Sequence, residues 1–378
     1  MDAKVGVVGV GTMGSMVMWQ LARAGITSVI GFEQFNIGHD RSAVGGESRA
    51  FRTAYLEGSE YIPLLIDSYQ QWRELEQDTN VDLLTLTGGL TIGKSEEITM
   101  KNMIQCVHDF DLDHEILDWK QAKTYYPQHM LTSDEIIILD RKSGFLRPEL
   151  AVLTAARRAE ELGAAILRNT PVESIEPHSA GVRVHAGERI YEFEKVVVTA
   201  GPWLNRLLPI YNDYFEVNRL LLSWFTSKNI KSFYPDQFPV FVHLTDGIDL
   251  FGVPTVDGNT VKIAKVSSGG EGPVANPDAM NRNVQSEDLE QIIQGVKKYL
   301  PELIPEPIRV TAYMDGYTKD HHSLAGYVPK QDNLLVFGGF SGHGFKLAPV
   351  MGKIALELLK TGSSSYAVQH LDPNRFLE

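Results

Sequence analysis

The sequence predicts an α/β protein in which a nucleotide-binding unit is interrupted by a second unit of mainly antiparallel strands. Two glycine-rich loops at opposite ends of the chain and a strand-rich middle predict this arrangement. The first loop, Gly9-Val10-Gly11-Thr12-Met13-Gly14, follows the apolar run Val5-Gly6-Val7-Val8. It opens a segment of helical periodicity through Met16, Met18, Leu21 and Ala22 to Gly25. Val29-Ile30-Gly31-Phe32 then reads as a second strand ending at Glu33. Strand, G-x-G-x-x-G turn, helix, strand and acid in this order form the Rossmann dinucleotide fingerprint. Gly9 makes the tight turn, Gly11 admits a pyrophosphate, Gly14 lets helix and strand pack, and Glu33 is placed for ribose hydroxyls.

The second loop, Gly338-Gly339-Phe340-Ser341-Gly342-His343-Gly344-Phe345-Lys346, lies between the apolar run Leu334-Leu335-Val336-Phe337 and an amphipathic stretch over 350–359. It reads as a strand–loop–helix turn whose backbone amides approach a ligand closely, because glycine has no Cβ. Between the two loops, 61–79, 148–162 and 287–300 have helical patterns, the middle one opening on Pro148. Residues 165–167 and 195–198 read as strands returning to the first sheet. The alternating segments 181–185 and 190–193 read as antiparallel hairpins. Strand patterns dominate 220–266. The expected division is 1–80, 145–215 and 320–378 for the nucleotide domain, and 81–144 and 216–319 for the substrate domain.

Hydrophobic content of 43% and charged content of 22% suit a globular protein of 378 residues. A net charge of -13 argues against nucleic acid and anionic membranes as partners. Cys106 is the only cysteine, so no internal disulfide can form. The first strand begins within five residues of Met1 and no apolar run approaches a bilayer's width, which points to a cytoplasmic protein. His321 and His322 beside Asp320 lack further ligands at suitable spacing, and no metal is expected.

With these parts placed, the whole chain resembles the monomeric sarcosine oxidase and N-methyltryptophan oxidase family of flavoenzymes. These sit in the wider group containing D-amino-acid oxidase, glycine oxidase and the fructosyl amino acid oxidases. The resemblance is carried by residues 9–14 with Glu33, by Gly45-Gly46-Glu47-Ser48-Arg49-Ala50-Phe51-Arg52, and by Ser143-Gly144-Phe145-Leu146. It continues through Thr199-Ala200-Gly201-Pro202-Trp203, Val261-Lys262-Ile263 and the loop 339–346. It implies a Rossmann-type FAD-binding domain, a monomer, and an extended FAD with its ring between the domains. It places that FAD against Gly9, Gly11, Thr12, Met13, Gly14, Glu33, Ser42, Arg49, Val172, Ala200, Gly201, Gly339, Gly342, Gly344 and Lys346.

The implied reaction is oxidation of a secondary amine by hydride transfer to the flavin, followed by reoxidation by O2 to give H2O2. Arg52 and Lys346 align with a carboxylate clamp, a task suited to paired cations because a carboxylate has two oxygens to satisfy. Lys262 aligns with the oxygen-activating lysine, where a fixed cation stabilises the charge developing on O2. Arg49 supports the same electrostatics. His343 either orients the substrate or is a core histidine satisfied by backbone. The default substrates are N-methyl amino acids including sarcosine. Fructosyl amino acids are one alternative, and a dehydrogenase using another electron acceptor is a second.

The chain departs from the family pattern at several positions. The cysteine that tethers FAD falls on Tyr313, so the cofactor is expected to be non-covalent. A pocket tyrosine becomes Asp315, which either faces the substrate or caps the turn at Gly316. A histidine becomes Val266, and Gly45-Gly46 replaces histidine-glycine.

Overall fold

The computed structural model describes residues 1–53, 58–244, 247–266 and 272–376. Its first sheet has eight strands, drawn from Ala3–Val8 and Val29–Phe32, from four segments between 165 and 198, and from Leu324–Tyr327 and Leu334–Gly338. The strands Ala3–Val8, Val29–Phe32 and Ala165–Leu167 lie side by side in parallel. Strand Arg189–Val198 flanks Ala3–Val8 on the other side, also in parallel.

Residues 189–198 form one continuous strand, where the sequence suggests a hairpin arm and a separate strand. Its first half pairs antiparallel with Gly181–Ala186 and its last residues pair in parallel with Leu334–Gly338. No glycine or proline interrupts it, so nothing in the chain breaks the extended conformation.

Helix Thr12–Arg23 covers one face of this sheet, and the C-terminal helix Ala348–Thr361 packs against it. Gly352 permits that approach, since a Cβ there would stand 2.6 Å from the Met16 carbonyl oxygen. Met16, Val17, Val350, Met351 and Ile354 fill the interface with no exposed surface.

A second eight-stranded sheet takes its strands from 89–140, 215–265 and Arg309–Thr318. All its pairings are antiparallel except Val240–His243 with Gly89–Lys94. A third, three-stranded sheet joins Arg49–Phe51, Gly144–Leu146 and Leu84–Leu86. The first and third sheets carry the loops from which the site is built. Among the described residues, no helix is long and apolar enough to cross a membrane.

Candidate active site

The N-terminal glycine turn meets three different demands. Gly9 has φ +94°, and a Cβ there would stand 2.6 Å from the Thr199 carbonyl oxygen. A Cβ on Gly14 would stand 1.9 Å from the Gly9 carbonyl oxygen, so this glycine serves helix–strand packing. At Gly11 nothing in the protein lies within 4 Å of a Cβ. Internal packing does not require that glycine; the cleft it faces does. Thr199 buttresses the turn from the neighbouring strand, donating through Oγ1 to the Gly9 carbonyl at 2.6 Å. Glu33, 4% exposed, accepts the Val10 amide at 3.1 Å on Oε2 and the Phe35 amide at 2.9 Å on Oε1. Its carboxylate is therefore fixed at the end of the second strand, on the cleft wall.

The cleft is walled by both glycine loops, by Glu33 and by residues 199–203, so glycine-loop backbone and a carboxylate face one groove, as an extended dinucleotide requires. Gly9, Gly11, Thr12, Met13, Glu33, Ser42, Arg49, Val172, Ala200 and Gly201 line it, together with Asp315, Gly339, Gly342 and Gly344. Gly14 supports it from behind. Arg52, Lys262, His343 and Lys346 are not in its lining. Thr199, His39, Trp203 and Phe337 also line it and were not singled out as ligands. Only Thr199 and Trp203 carry a sequence signal, as parts of the motif around Ala200-Gly201.

The segment 43–49 forms one wall and is held from several sides. Arg49 donates to the carbonyls of Ala43 (2.7 Å) and Ser48 (2.7 Å) and to that of Gly45. Glu149, at the start of helix Pro148–Glu161, accepts the amides of Gly46 (2.8 Å) and Glu47 (3.0 Å). The Glu47 carboxylate takes Trp224 Nε1 at 2.8 Å and Arg309 at 2.6 Å from the second sheet. Lys262, 2% exposed, reaches the same segment and donates to the Gly46 carbonyl at 3.3 Å and to that of Ser48. Strand alternation turns it inward rather than to solvent. Burial, and then the nearby Arg49 charge, hold the Lys262 ammonium well below the ordinary lysine pKa. Burial also lowers Arg49, against the opposing influence of Glu149, Tyr313 and Asp315.

Strand Arg49–Phe51 packs against the turn Phe345–Leu347, which brings together the elements bearing Arg52 and Lys346. Asp140 anchors the chain just beyond Arg52, accepting both the amide and the hydroxyl of Thr53 at 2.8 Å. Lys346 is buried; its ammonium donates to the His343 carbonyl at 3.0 Å, and its own carbonyl accepts Ser68 Oγ and Trp72 Nε1. The His343 ring meets the His321 carbonyl through Nε2 at 3.1 Å and packs edge-on to Tyr61. His322 Nδ1 lies 2.9 Å from the Tyr61 hydroxyl, and Asp320 pairs with Arg375. Among the described residues no cluster of His, Cys, Asp or Glu is arranged for a metal.

Tyr313 has its ring against Gly45, where a Cβ would come within 2.2 Å of Cε1. Cys106 is buried in helix Ile98–Asp109 and takes no part in the cleft. Val266 is 42% exposed at the end of strand Val261–Lys265, outside the cleft lining. Asp315 and Gly316 lie within strand Arg309–Thr318 rather than at a turn. Asp315 Oδ1 accepts the Gly316 amide at 2.8 Å, and the residue lines the cleft.

A Rossmann turn with a cradle open at Gly11, a fixed acid and a second glycine loop define a dinucleotide-dependent oxidoreductase. The chain belongs to the FAD dependent oxidoreductase family, whose model matches residues 4–358. It is 31% identical to a monomeric sarcosine oxidase of Streptomyces avermitilis over 372 residues, covering 98% of this chain and 96% of that one. It is 30% identical to an N-methyl-L-tryptophan oxidase of Yersinia pestis over 356 residues, covering 94% of each. NikD, an unusual amino acid oxidase essential for nikkomycin biosynthesis, has the same fold, with a TM-score of 0.86 at 20% identity. That match covers 98% of this chain and 97% of NikD. The residues lining the cleft fit FAD, and the protein is an FAD-dependent oxidoreductase.

Proposed function

We propose that the protein is a monomeric oxidase of N-substituted amino acids, with N-methyl amino acids such as sarcosine as the leading substrate class and FAD held non-covalently. The observation that carries this reading is the packing of the strand before Arg52 against the turn bearing Lys346, beside a cleft that suits FAD. When bound, FAD would supply a hydride acceptor that O2 can reoxidise. Arg52 and Lys346 would hold the substrate carboxylate, whose charge and two oxygens match two cations. Lys262, buried beside the cleft wall, would stabilise the negative charge that develops on O2. Arg49 would keep the wall in place and add to the same field. In the expected division, 1–80, 145–215 and 320–378 would bind FAD and 81–144 and 216–319 would form the substrate domain, with the flavin ring between them.

Tyr313 at the tether position and the distant, buried Cys106 support non-covalent FAD. A dehydrogenase is the second reading; the oxidase is preferred because a lysine buried beside the cleft wall, as Lys262 is, suits stabilisation of the charge that develops on O2. The test is anaerobic visible spectroscopy with N-methyl and fructosyl amino acids. Bleaching by an N-methyl amino acid, reversed rapidly by air, is expected. Bleaching by fructosyl amino acids alone would change the substrate class, slow reversal would favour the dehydrogenase, and no bleaching would remove this substrate class.

A further inference from the structure

Glu33 is held by more than backbone. The His39 ring lies on the same cleft wall, and its Nε2 stands 3.4 Å from Glu33 Oε1, the oxygen that also accepts the Phe35 amide. Glu33 Oε2 takes the Val10 amide from the glycine turn. Three N–H groups therefore surround a carboxylate that is 4% exposed and has about four acceptor positions. Glu33 also lines the cleft, so the acceptor capacity left over is what a ligand there can use.

The loop itself sets the orientation of the His39 ring and the place of its proton. The Arg41 amide, which can only donate, lies 3.0 Å from His39 Nδ1. Nδ1 is therefore the acceptor, and the neutral ring carries its proton on Nε2, the nitrogen nearest Glu33. Phe35 packs edge-on against the ring at 4.8 Å, and the Arg41 guanidinium lies over the Phe35 ring at 4.7 Å. With the His39 side chain only 13% exposed, little water competes for the contact. A neutral N–H steadies an ionised carboxylate without forming a full ion pair with it, and so leaves lone pairs to accept ribose hydroxyls.

We infer that His39 is a positioning residue for the cofactor: it holds the Glu33 carboxylate in the orientation that receives the ribose hydroxyls of FAD, and so tightens FAD binding. The inference rests on the reading of this cleft as the FAD site. His39 lies outside the G-x-G-x-x-G fingerprint; it reaches Glu33 because the loop after the second strand folds back over that strand's end.

Two substitutions separate the two contacts of the ring. His39→Gln supplies an N–H about where Nε2 stands and lacks the Nδ1 acceptor. His39→Asn keeps an acceptor about where Nδ1 stands and is too short to reach Glu33. The dissociation constant for FAD is measured by diluting the FAD-loaded protein and reading the free flavin from its fluorescence. His39→Asn should bind FAD about tenfold more weakly, as expected for one charge-assisted contact, and His39→Gln should stay close to the unmodified protein. In a Glu33→Gln background, His39→Asn should have little further effect. A ring that merely braces the loop predicts the opposite order, with His39→Gln weakened and His39→Asn retained. That order, equal losses in the two variants, or a tenfold loss that persists without the Glu33 charge would each overturn the inference. Nitrogen NMR of the unmodified protein needs no variant and should show neutral His39 protonated on Nε2; a proton on Nδ1 would overturn the inference as well. If the unmodified protein takes up no FAD, the cofactor reading falls, and the role of His39 with it.

Discussion

Arg49 and Lys262 donate to the same carbonyl oxygen, that of Ser48, from strands in different sheets. Two basic side chains converge on one acceptor, where burial, and after it the Arg49 charge, lowers the lysine pKa. Such an arrangement costs folding stability, and it places positive charge beside the cleft wall before any anion forms. On the proposed oxidase reading, this is the preorganisation that would favour charge development on O2 in a poorly solvated site.

Lys262→Met is accordingly expected to slow reoxidation by O2 by about 10²–10³-fold, the usual loss when one preorganised stabilising group is removed. Anaerobic reduction by substrate should change far less. Stopped-flow measurement of the two half-reactions separates them, and equal losses in both would remove Lys262 from oxygen activation.

Gly45 and Tyr313 form a second dependent pair. Both depart from the family pattern, and the tyrosine ring fills the space that a side chain at 45 would need. Gly45→Ala should destabilise the protein by about 1–3 kcal/mol through overpacking. Tyr313→Ala in the same chain should remove most of that penalty, so chemical denaturation of the two single variants and the double variant should show strong coupling. Additive effects would mean that the ring does not occupy this space in solution. Acid precipitation of the FAD-loaded protein should also release all the flavin into the supernatant; yellow colour in the pellet would indicate a covalent tether.

The glycine loops were legible in the sequence because their requirement is local: a positive φ at Gly9, a Cβ-free approach at Gly14 and an open cradle at Gly11 each leave a glycine. The cations Arg49 and Lys262 were also visible, by resemblance. The side chains that brace the backbone around them were not, because Glu149 reaches the Gly46 amide and Asp140 the Thr53 amide across long stretches of chain. No local pattern marks such contacts. Residues 189–198 illustrate the same limit, since alternation shows an extended chain but not that one strand pairs with three others.

Arg52 follows strand Arg49–Phe51 and is fixed from behind by the Thr53–Asp140 contacts. If it clamps the substrate carboxylate, Arg52→Ala should weaken binding of pivalate, a redox-inert carboxylate followed by the shift of the flavin bands, by about tenfold or more, the value of a charge-assisted hydrogen bond. The flavin spectrum of the ligand-free protein should be unchanged. Retained affinity would assign the carboxylate to other groups.

The second sheet carries a pH liability of its own. His129 is buried, stacked on Phe238 and edge-on to Phe241, and neither ring nitrogen has a hydrogen-bond partner among the described residues. Burial, with repulsion from His243, lowers its pKa from 6.5 to about 3. His243 is itself bonded to Glu135 at 2.9 Å, so that carboxylate serves the other ring. Below pH 6.5 the unfolded chain takes up a proton that folded His129 refuses, and stability therefore falls as pH drops from 6.5 toward 3. The slope approaches about 1.4 kcal/mol per pH unit for one such group. His129→Phe keeps the ring stack and removes the titration. Urea denaturation should show the variant gaining on the unmodified protein as pH falls from about 8 to about 5, and an equal difference at both pH values would place the acid sensitivity elsewhere.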